Sequence, residues 1–258
     1  MRIRLLDPIG VEIGDLKLAD VDDAVVVVRL RGLLADRGVL VLPRQDADDG
    51  AFLAFLRAFG RIAFTTGETP VPGFADLNVI SNVGRTTPPR SEFHVDTSYV
   101  RHPPAYTALR AVQLPRRGGE TLFSDQYRAY ETLPSDVRER LRERTIRHVV
   151  TGVALGADDE AAAEHPVFRP HPVSGRVALY VTTPQRCAAI TGMDAEETKA
   201  MVAFLVAHST REDNVYRHRW SPGDVVMWDN SCVLHRADHG DVVGDRVMHR
   251  GMVAGYAA

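Results

Sequence analysis

Cysteine and lysine are both scarce in this sequence of 258 residues. The two cysteines, Cys187 and Cys232, form no C-x-x-C pair and give no basis for a disulfide framework. Their number fits a reducing cytoplasm, where we expect the protein to reside. Only Lys17 and Lys199 supply lysine, so 29 of the 31 basic residues are arginine. An arginine in this chain is therefore weak evidence of function by its type alone.

The sequence also lacks a long hydrophobic run and a strong excess of charge. The longest apolar runs, such as residues 24–28, are far too short to cross a bilayer. Residues 1–16 lack the apolar region and cleavage site of a signal peptide. A net charge of −3 gives no reason to expect a nucleic acid as partner. We therefore expect no contact with a membrane or with nucleic acid.

The order of predicted elements favours a mainly β chain with helical insertions. Helices are predicted at 22–37, after an N-cap within 46–49, at 134–144 and at 194–208, and strands at 39–42, near 77–82, at 106–114, 120–124, 176–182, 225–228 and 246–254. Few strand-helix-strand alternations occur, which argues against a doubly wound parallel sheet and for a jelly roll. The sequence contains no internal repeat, and we expect one domain over 1–258.

His94-Val95-Asp96 contains two metal-ligating residue types two positions apart. On a strand such residues point to the same side, so both could face one metal ion while Val95 faces away. Ferrous iron in oxygenases is commonly held by two histidines and one carboxylate, which leaves three coordination positions open. The motif is weak alone, because the chain has ten histidines.

His235 is the candidate for the third ligand. His239 competes with it, because the two could form an H-x-x-x-H pair on a helix. A zinc protease would need glutamate directly after the first histidine, and Arg236 stands there. The segment also runs into Gly240-Asp241, which predicts a turn. We therefore predict that His235 completes the iron triad and that His239 is a polar loop residue.

Arg246 follows His235 by eleven residues, where a further strand can return past the site. Its guanidinium is always charged and binds carboxylates through two hydrogen bonds, which suits a dicarboxylate cosubstrate. Alternation on the last strand puts Arg250 on the same face, about 13 Å away, so two different anions could be bound. The competing interpretation is that both arginines lie on a strand face exposed to solvent. For the site as a whole, iron with 2-oxoglutarate as cosubstrate is the leading hypothesis.

These residues lie in stretches that resemble the TauD/TfdA-like family of Fe(II)/2-oxoglutarate-dependent dioxygenases. The stretches, in order, are Phe93–Asp96, Gln113–Thr121, His165–Val181, Trp220–Asn230, His235 and Arg246–Arg250. The resemblance covers most of the chain from about residue 36 to 254, and the constant order of so many stretches makes a chance match improbable.

The resemblance implies a double-stranded β-helix, which is a jelly roll with helical insertions. It implies that His94, Asp96 and His235 bind Fe(II). It also implies that Arg246 and Thr121 bind the far carboxylate of 2-oxoglutarate or lie next to it.

Further residues are implied for the substrate. Arg250 is placed to meet an acidic group, Tyr180 lies where the family has an aromatic residue in the substrate pocket, and Trp228 lies near the metal.

The loop before the iron motif departs from the family. Taurine-cleaving members have a histidine and a tyrosine there, and an asparagine four residues before the first iron histidine. Gap-free counting gives Thr65, Glu68 and Arg90 instead, so taurine is not the expected substrate. Glu68 and Arg90 could bind a zwitterion such as an amino acid, or both could be exposed loop charges.

The predicted activity is oxidation of an unactivated C–H bond in a small carboxylate, sulfonate or amino acid. O2 and 2-oxoglutarate are consumed, and succinate and CO2 are released. One alternative is a cupin-type metal oxygenase or isomerase that does not use 2-oxoglutarate, against which Arg246 argues. Another is a jelly-roll binding protein without catalysis, against which the complete His/Asp/His set argues. Nothing in the sequence decides between a monomer and a homo-oligomer.

Overall fold

The computed structural model describes residues 1–64, 68–85, 91–153, 155–157 and 159–255. Helices α1–α5 span Ala24–Arg37, Asp49–Ala58, Gln126–Glu131, Ser135–Leu141 and Ala195–Ser209. Strands β1–β17 span Ile3–Leu5, Val11–Ile13, Val39–Leu42, Ile62–Ala63, Pro70–Val71, Phe74–Ser81, Tyr106–Gln113, Thr121–Asp125, Thr145–Val149, Ala162–Pro166, Phe168–Pro170, Val177–Leu179, Cys187–Ile190, Val215–His218, Val225–Asp229, Val233–Ala237 and Val247–Val253. The structure is mainly β with helical insertions, as the sequence predicts.

The two longest helices begin at signals that are readable in the sequence, and α1 also ends at one. The carboxylate of Asp23 accepts a hydrogen bond from the first turn of α1, which ends where Gly38 adopts the left-handed conformation at φ +67°. Asp194 and Glu197 form a capping box at the start of α5. Both predicted helices are confirmed.

In the described part of the chain, no helix is long and apolar enough to cross a membrane.

Two predicted segments are shorter in the structure, and one short helix was not predicted. The helix expected at 134–144 is limited to α4, and the strand expected at 176–182 is limited to β12. Helix α3 was not predicted. It begins directly after β8 because the carboxylate of Asp125 accepts hydrogen bonds from the N–H groups of Tyr127 and Arg128.

Two sheets face each other around the central core. Among the described strands, the larger sheet has nine, in the order β1-β2-β3-β15-β7-β17-β6-β5 with β4 paired to β17, and the smaller has the order β14-β8-β16. Phe123 and Val233 of the smaller sheet share a buried cluster with Val226, Trp228 and Met248 of the larger one. This arrangement is the predicted jelly roll.

Helices α1 and α2 cover the outer face of the larger sheet. Leu30 and Leu34 of α1 and Phe55 of α2 share a core cluster with Leu40 and Met227 of that sheet. The larger sheet is therefore buried on both faces near its centre, which holds the strands that contribute to the site in a fixed position.

The pairing of β8 with β16 fixes two predicted site residues relative to each other. His235 lies opposite Phe123, and Ala237 lies opposite Thr121. Residues that lie directly opposite share a face of the sheet. Thr121 and His235 therefore face the same side, displaced by two residues or about 7 Å along the strands.

The last strand presents its two arginines as predicted. Arg246, Met248 and Arg250 alternate with His249, whose Nδ1 lies 2.6 Å from a carboxylate oxygen of Asp49 on the opposite side of the sheet. Met248 belongs to the cluster between the two sheets. Because the three residues share a face, both guanidiniums are directed toward the interior of the jelly roll.

The expectation that one strand carries both His94 and Asp96 is wrong. His94 forms an isolated antiparallel bridge with His235, and the chain turns from Asp96 onward. Thr97 adopts φ +49° in that turn. The two side chains nevertheless converge, because the bridge positions the first and the turn positions the second.

Gly38 provides a test of how α1 joins β3. A Cβ there would lie 2.7 Å from Ile9 Cδ1 and 2.7 Å from Val233 Cγ2, and φ is already positive. We expect Gly38→Ala to lower the free energy of unfolding by about 1–3 kcal/mol in urea denaturation followed by circular dichroism. Gly32 lies inside the same helix with open space around it, so Gly32→Ala is the control and should raise stability by about 0.5–1 kcal/mol. Equal changes in both variants would contradict this explanation.

Candidate active site

His94, Asp96 and His235 converge on one point between the two sheets. Nε2 of His94 lies 3.6 Å from Asp96 Oδ1, and Nε2 of His235 lies 3.7 Å from Asp96 Oδ2. The three potential ligand atoms all lie within 4.8 Å of one another. Two reciprocal backbone hydrogen bonds of 3.0 Å join the two histidines. Sequence segments that lie about 140 residues apart are thereby fixed in one geometry.

The hydrogen bonding of His94 determines which ring nitrogen is free. Its Nδ1 lies 2.8 Å from the carbonyl oxygen of Glu92. Because a carbonyl oxygen only accepts, Nδ1 must carry the proton. In the neutral ring Nε2 then holds the lone pair, which is the state that a metal ligand requires.

His235 is held mainly by packing. Its ring centroid lies 4.4 Å from that of Trp228 and 4.3 Å from that of His94. Burial lowers the pKa of the His235 imidazole to about 3, and the nearby Asp96 opposes this shift without cancelling it. His235 is therefore neutral near physiological pH and can act as a metal ligand. The predicted position of Trp228 next to this site is confirmed.

A chain of hydrogen bonds orients the carboxylate of Asp96. Thr107 Oγ1 donates to Asp96 Oδ2 over 2.8 Å and accepts from the amide nitrogen of Asn230 over 2.9 Å. Trp228 Nε1 in turn donates to Asn230 Oδ1 over 3.2 Å. Sequence reasoning did not assign a role to Thr107 or Asn230. Thr107 carried no signal beyond its position in a predicted strand, whereas Asn230 ends one of the stretches that resemble the family.

The charge on Asp96 is stabilised despite its burial. Burial opposes ionisation, but the positive charge of Arg250 helps to hold the pKa of the Asp96 carboxyl well below its usual range. Arg250 contributes from 3.7 Å, measured between its Nη1 and Asp96 Oδ1. The site therefore offers one carboxylate and two imidazoles, which are the donors that ferrous iron takes in oxygenases.

Arg246 is a buried cation beside Thr121. Only 1% of the residue is exposed, and burial lowers the pKa of its guanidinium to about 10, so it stays charged at neutral pH. Its Nε donates to the carbonyl of Gly119 over 2.9 Å, and its Nη2 donates to Thr121 Oγ1 over 3.4 Å. Within the described residues, no carboxylate lies within 4.0 Å of this guanidinium. A buried charge without a counterion is costly, so this position is suited to an anionic ligand.

Thr121 can donate a hydrogen bond to the same anion. Its Oγ1 accepts from Trp220 Nε1 over 3.0 Å as well as from Arg246. Both contacts use lone pairs of the hydroxyl oxygen, so the O–H proton is left to donate. The structure therefore brings together Arg246 and Thr121, as predicted.

Arg250 faces the triad but already has partners. Its Nη2 lies 3.1 Å from Glu68 Oε1, and its Nη1 lies near Asp96. The side chains of Arg250 and Glu68 are 12% and 35% exposed. Glu68, the acidic loop residue considered for the substrate, thus reaches the site. Arg90, the basic one, lies outside the described residues, and so does Thr65.

Tyr180 is buried in a cluster of rings. Its ring stacks on His148 at 5.5 Å between centroids, meets His165 edge-on at 5.2 Å, and lies 4.9 Å below the Arg169 guanidinium. It also borders a small cavity of about 20 Å³ that Asn230 lines as well. A role for Tyr180 in the substrate pocket stays a prediction.

A second group of possible metal ligands is explained by hydrogen bonding. His171, Asp229 and Cys232 bring their side chains within 4.8 Å. The backbone N–H groups of Val173 and Ser174 donate to His171 Nδ1, so Nε2 carries the proton and donates to Asp229 Oδ2 over 2.9 Å. Neither ring nitrogen has a free lone pair for a metal, so we regard this group as structural.

Comparisons with known proteins agree with this geometry. The model of the taurine catabolism dioxygenase TauD, TfdA family matches residues 2–252. The α-ketoglutarate-dependent 2,4-dichlorophenoxyacetate dioxygenase of Cupriavidus pinatubonensis is 31% identical over 268 residues, which cover 93% of this chain and 92% of that protein.

Solved structures show the same fold. A taurine dioxygenase from Burkholderia xenovorans superposes with a TM-score of 0.85 at 29% identity, covering 99% of this chain and 91% of that one. AAD-2 in complex with Mn(II) and N-oxalylglycine superposes with a TM-score of 0.84 at 26% identity, covering 99% and 98%. The chain therefore belongs to the TauD, TfdA family and is an Fe(II)- and 2-oxoglutarate-dependent dioxygenase.

Proposed function

We propose that His94, Asp96 and His235 hold the ferrous ion, and that Arg246 and Thr121 bind the far carboxylate of 2-oxoglutarate. The observation that carries this assignment is the buried, charged Arg246, which has no carboxylate partner among the described residues. Thr121, which accepts a hydrogen bond from Arg246, lies about 7 Å along the strands from His235. A five-carbon dicarboxylate is long enough to reach from the metal to this pair.

The protein's own residues prepare the site before the reaction. His235 presents a neutral imidazole, and the hydrogen bond from His94 Nδ1 to Glu92 orients the other ring. Asp96 stays ionised, and Thr107 fixes the direction of its carboxylate. When bound, Fe(II) supplies the chemistry by which O2 and 2-oxoglutarate oxidise a C–H bond, with succinate and CO2 as coproducts. The cosubstrate's far carboxylate exchanges its water for charge-assisted hydrogen bonds from Arg246, which are strong in a buried pocket.

The substrate is proposed to be a small organic acid. The relatives described above are named for 2,4-dichlorophenoxyacetate and taurine, a carboxylate and a sulfonate. Arg250 supports the same class here, because its guanidinium lies next to the triad on the inner face of β17. Hydroxylation at an unactivated carbon is the proposed outcome.

Several broader expectations stay predictions. One domain over 1–258 is supported by the larger sheet, which pairs strands from both ends of the chain. A cytoplasmic location is supported by two free, buried thiols, Cys187 and Cys232.

The metal assignment can be tested by spectroscopy without turnover. Under anaerobic conditions, Fe(II) with 2-oxoglutarate should give a weak visible charge-transfer band. We expect His94→Ala and His235→Ala to abolish this band, because each removes a ligand. His239→Ala is the matched control, since His239 is absent from the group of converging ligand atoms, and it should retain the band. Loss of the band only in the His239 variant would show that the distal ligand was chosen wrongly.

The cosubstrate assignment can be tested by calorimetric titration of the Fe(II) protein with 2-oxoglutarate in the absence of O2. Arg246→Ala should weaken binding at least tenfold, because it leaves the far carboxylate unpaired in a buried pocket, a loss of about 2–5 kcal/mol. The control is Arg57→Ala, which removes an arginine from an exposed ion pair with Asp76 and should bind normally. Unchanged affinity in the Arg246 variant would refute the assignment.

The role of Thr107 can be tested with two substitutions of graded effect. Thr107→Val keeps the shape but removes the hydrogen bond to Asp96 and leaves the Asn230 amide without its acceptor. We expect Fe(II) affinity to fall by about 10–100-fold. Thr107→Ser retains the hydroxyl and should stay close to wild type in a metal-competition assay. Wild-type affinity in Thr107→Val together with a loss in Thr107→Ser would show that the methyl group, not the hydroxyl, matters.

A further inference from the structure

Arg250, which is proposed to bind the acidic group of the substrate, is already paired with carboxylates of this protein. Nη2 of Arg250 lies 3.1 Å from Glu68 Oε1, and its Nη1 lies 3.7 Å from Asp96 Oδ1. By contrast, Arg246 on the same face has no carboxylate within 4.0 Å among the described residues. The two arginines are therefore prepared differently: Arg246 is open to an anion, whereas an anion can reach Arg250 only by displacing Glu68.

The accessible edge of Arg250 is the one that Glu68 occupies. Nε of Arg250 is buried and makes no hydrogen bond to the described part of the chain, so a ligand cannot approach it from the pocket. An incoming carboxylate or sulfonate must bind at Nη1 and Nη2. At this edge it meets the carboxylates of Asp96 and Glu68, and it is repelled by both.

Asp96 and Glu68 respond differently to that repulsion. Asp96 is held by Thr107 and by its place in the triad, so it cannot leave. Glu68 is 35% exposed and can rotate away. A substrate with only a negative charge takes Arg250 from Glu68 and leaves the Glu68 carboxylate without a counterion near two other negative groups, which costs free energy.

A substrate that also carries a cation avoids this cost. Its anionic group takes the place of Glu68 on Arg250, while its ammonium group becomes the new partner of Glu68. One ion pair is exchanged for two, and no carboxylate is left without a counterion. Discrimination of this kind arises from the repulsion of wrong ligands as much as from attraction of the right one.

We propose that Glu68 and Arg250 form a subsite for a zwitterionic substrate, an amino acid or aminosulfonic acid, in which Glu68 selects for the cationic group. This rests on the proposed role of Arg250 as the residue that meets the substrate's anion. Glu68 is a specificity-determining residue in this assignment and takes no part in oxidation.

The test compares matched ligands on the Fe(II) enzyme with 2-oxoglutarate, by calorimetric titration without O2. The ligands are α-, β- and γ-amino acids, aminosulfonic acids, and the same acids without the amino group. Three variants accompany the wild type. Glu68→Gln removes the charge at constant size, and Arg250→Ala removes the anion partner. Glu12→Gln makes the same chemical change in the surface ion pair with Arg4.

We expect wild type to bind at least one amino acid or aminosulfonic acid at least about tenfold more tightly than its des-amino counterpart. Glu68→Gln should reduce that preference to less than about threefold, because the des-amino acid no longer meets a competing carboxylate. Glu12→Gln should keep the wild-type preference, and Arg250→Ala should weaken both ligands. Succinate release in air, measured with the same pairs, should follow the same order.

The inference is overturned if the des-amino acids bind as well as the amino-bearing ones, if no amino-bearing ligand binds, or if Glu68→Gln leaves the preference unchanged. The proposed function fails separately. Normal 2-oxoglutarate binding in Arg246→Ala would contradict the proposed function. If wild type binds 2-oxoglutarate but shows no preference for amino-bearing ligands, only the subsite is contradicted.

Discussion

The buried carboxylate of Asp96 is the group on which the rest of the site depends. It receives a hydrogen bond from Thr107 and charge from Arg250, both in the larger sheet, and it faces His94 and His235, which are paired to each other at the smaller sheet. The carboxylate thus joins the two layers of the jelly roll at the point where the metal ligands meet. A charge at this depth is tolerable because Thr107 donates a hydrogen bond to it and Arg250 places a positive charge beside it.

That requirement explains how the surrounding strands are used. Trp228 and Asn230 come from one short stretch, and together they pack against His235 and orient Thr107. One strand therefore supports ligands on both sides of the centre. Each hydrogen bond in the series from Trp228 to Asp96 has only one possible direction. The Asp96 carboxylate therefore has a fixed orientation, which favours a single metal geometry.

The sequence predicted the parts of the site that come from local pattern. Alternation along β17 placed Arg246 and Arg250 on one inner face, and the turn after residue 239 excluded a helical histidine pair, so His235 was selected over His239. The prediction that one strand carries His94 and Asp96 was wrong. A single bridge and a turn bring the two side chains together as well as a strand would. Thr107 was missed because a threonine in a strand carries no sign of what lies across the sheet from it.

The sequence by itself determined the residue types, their order and the mainly β pattern, since side-chain periodicity and local caps act over a few residues. It also determined the donor set for iron through its resemblance to the family. Only the tertiary structure decided that Arg246 is buried without a carboxylate while Arg250 is paired with Glu68. The two arginines are equivalent in the strand pattern, and they differ only through groups that are brought close by contacts between segments more than 100 residues apart. Electrostatic energy depends on distance in space and on burial, and neither quantity is written in the local sequence.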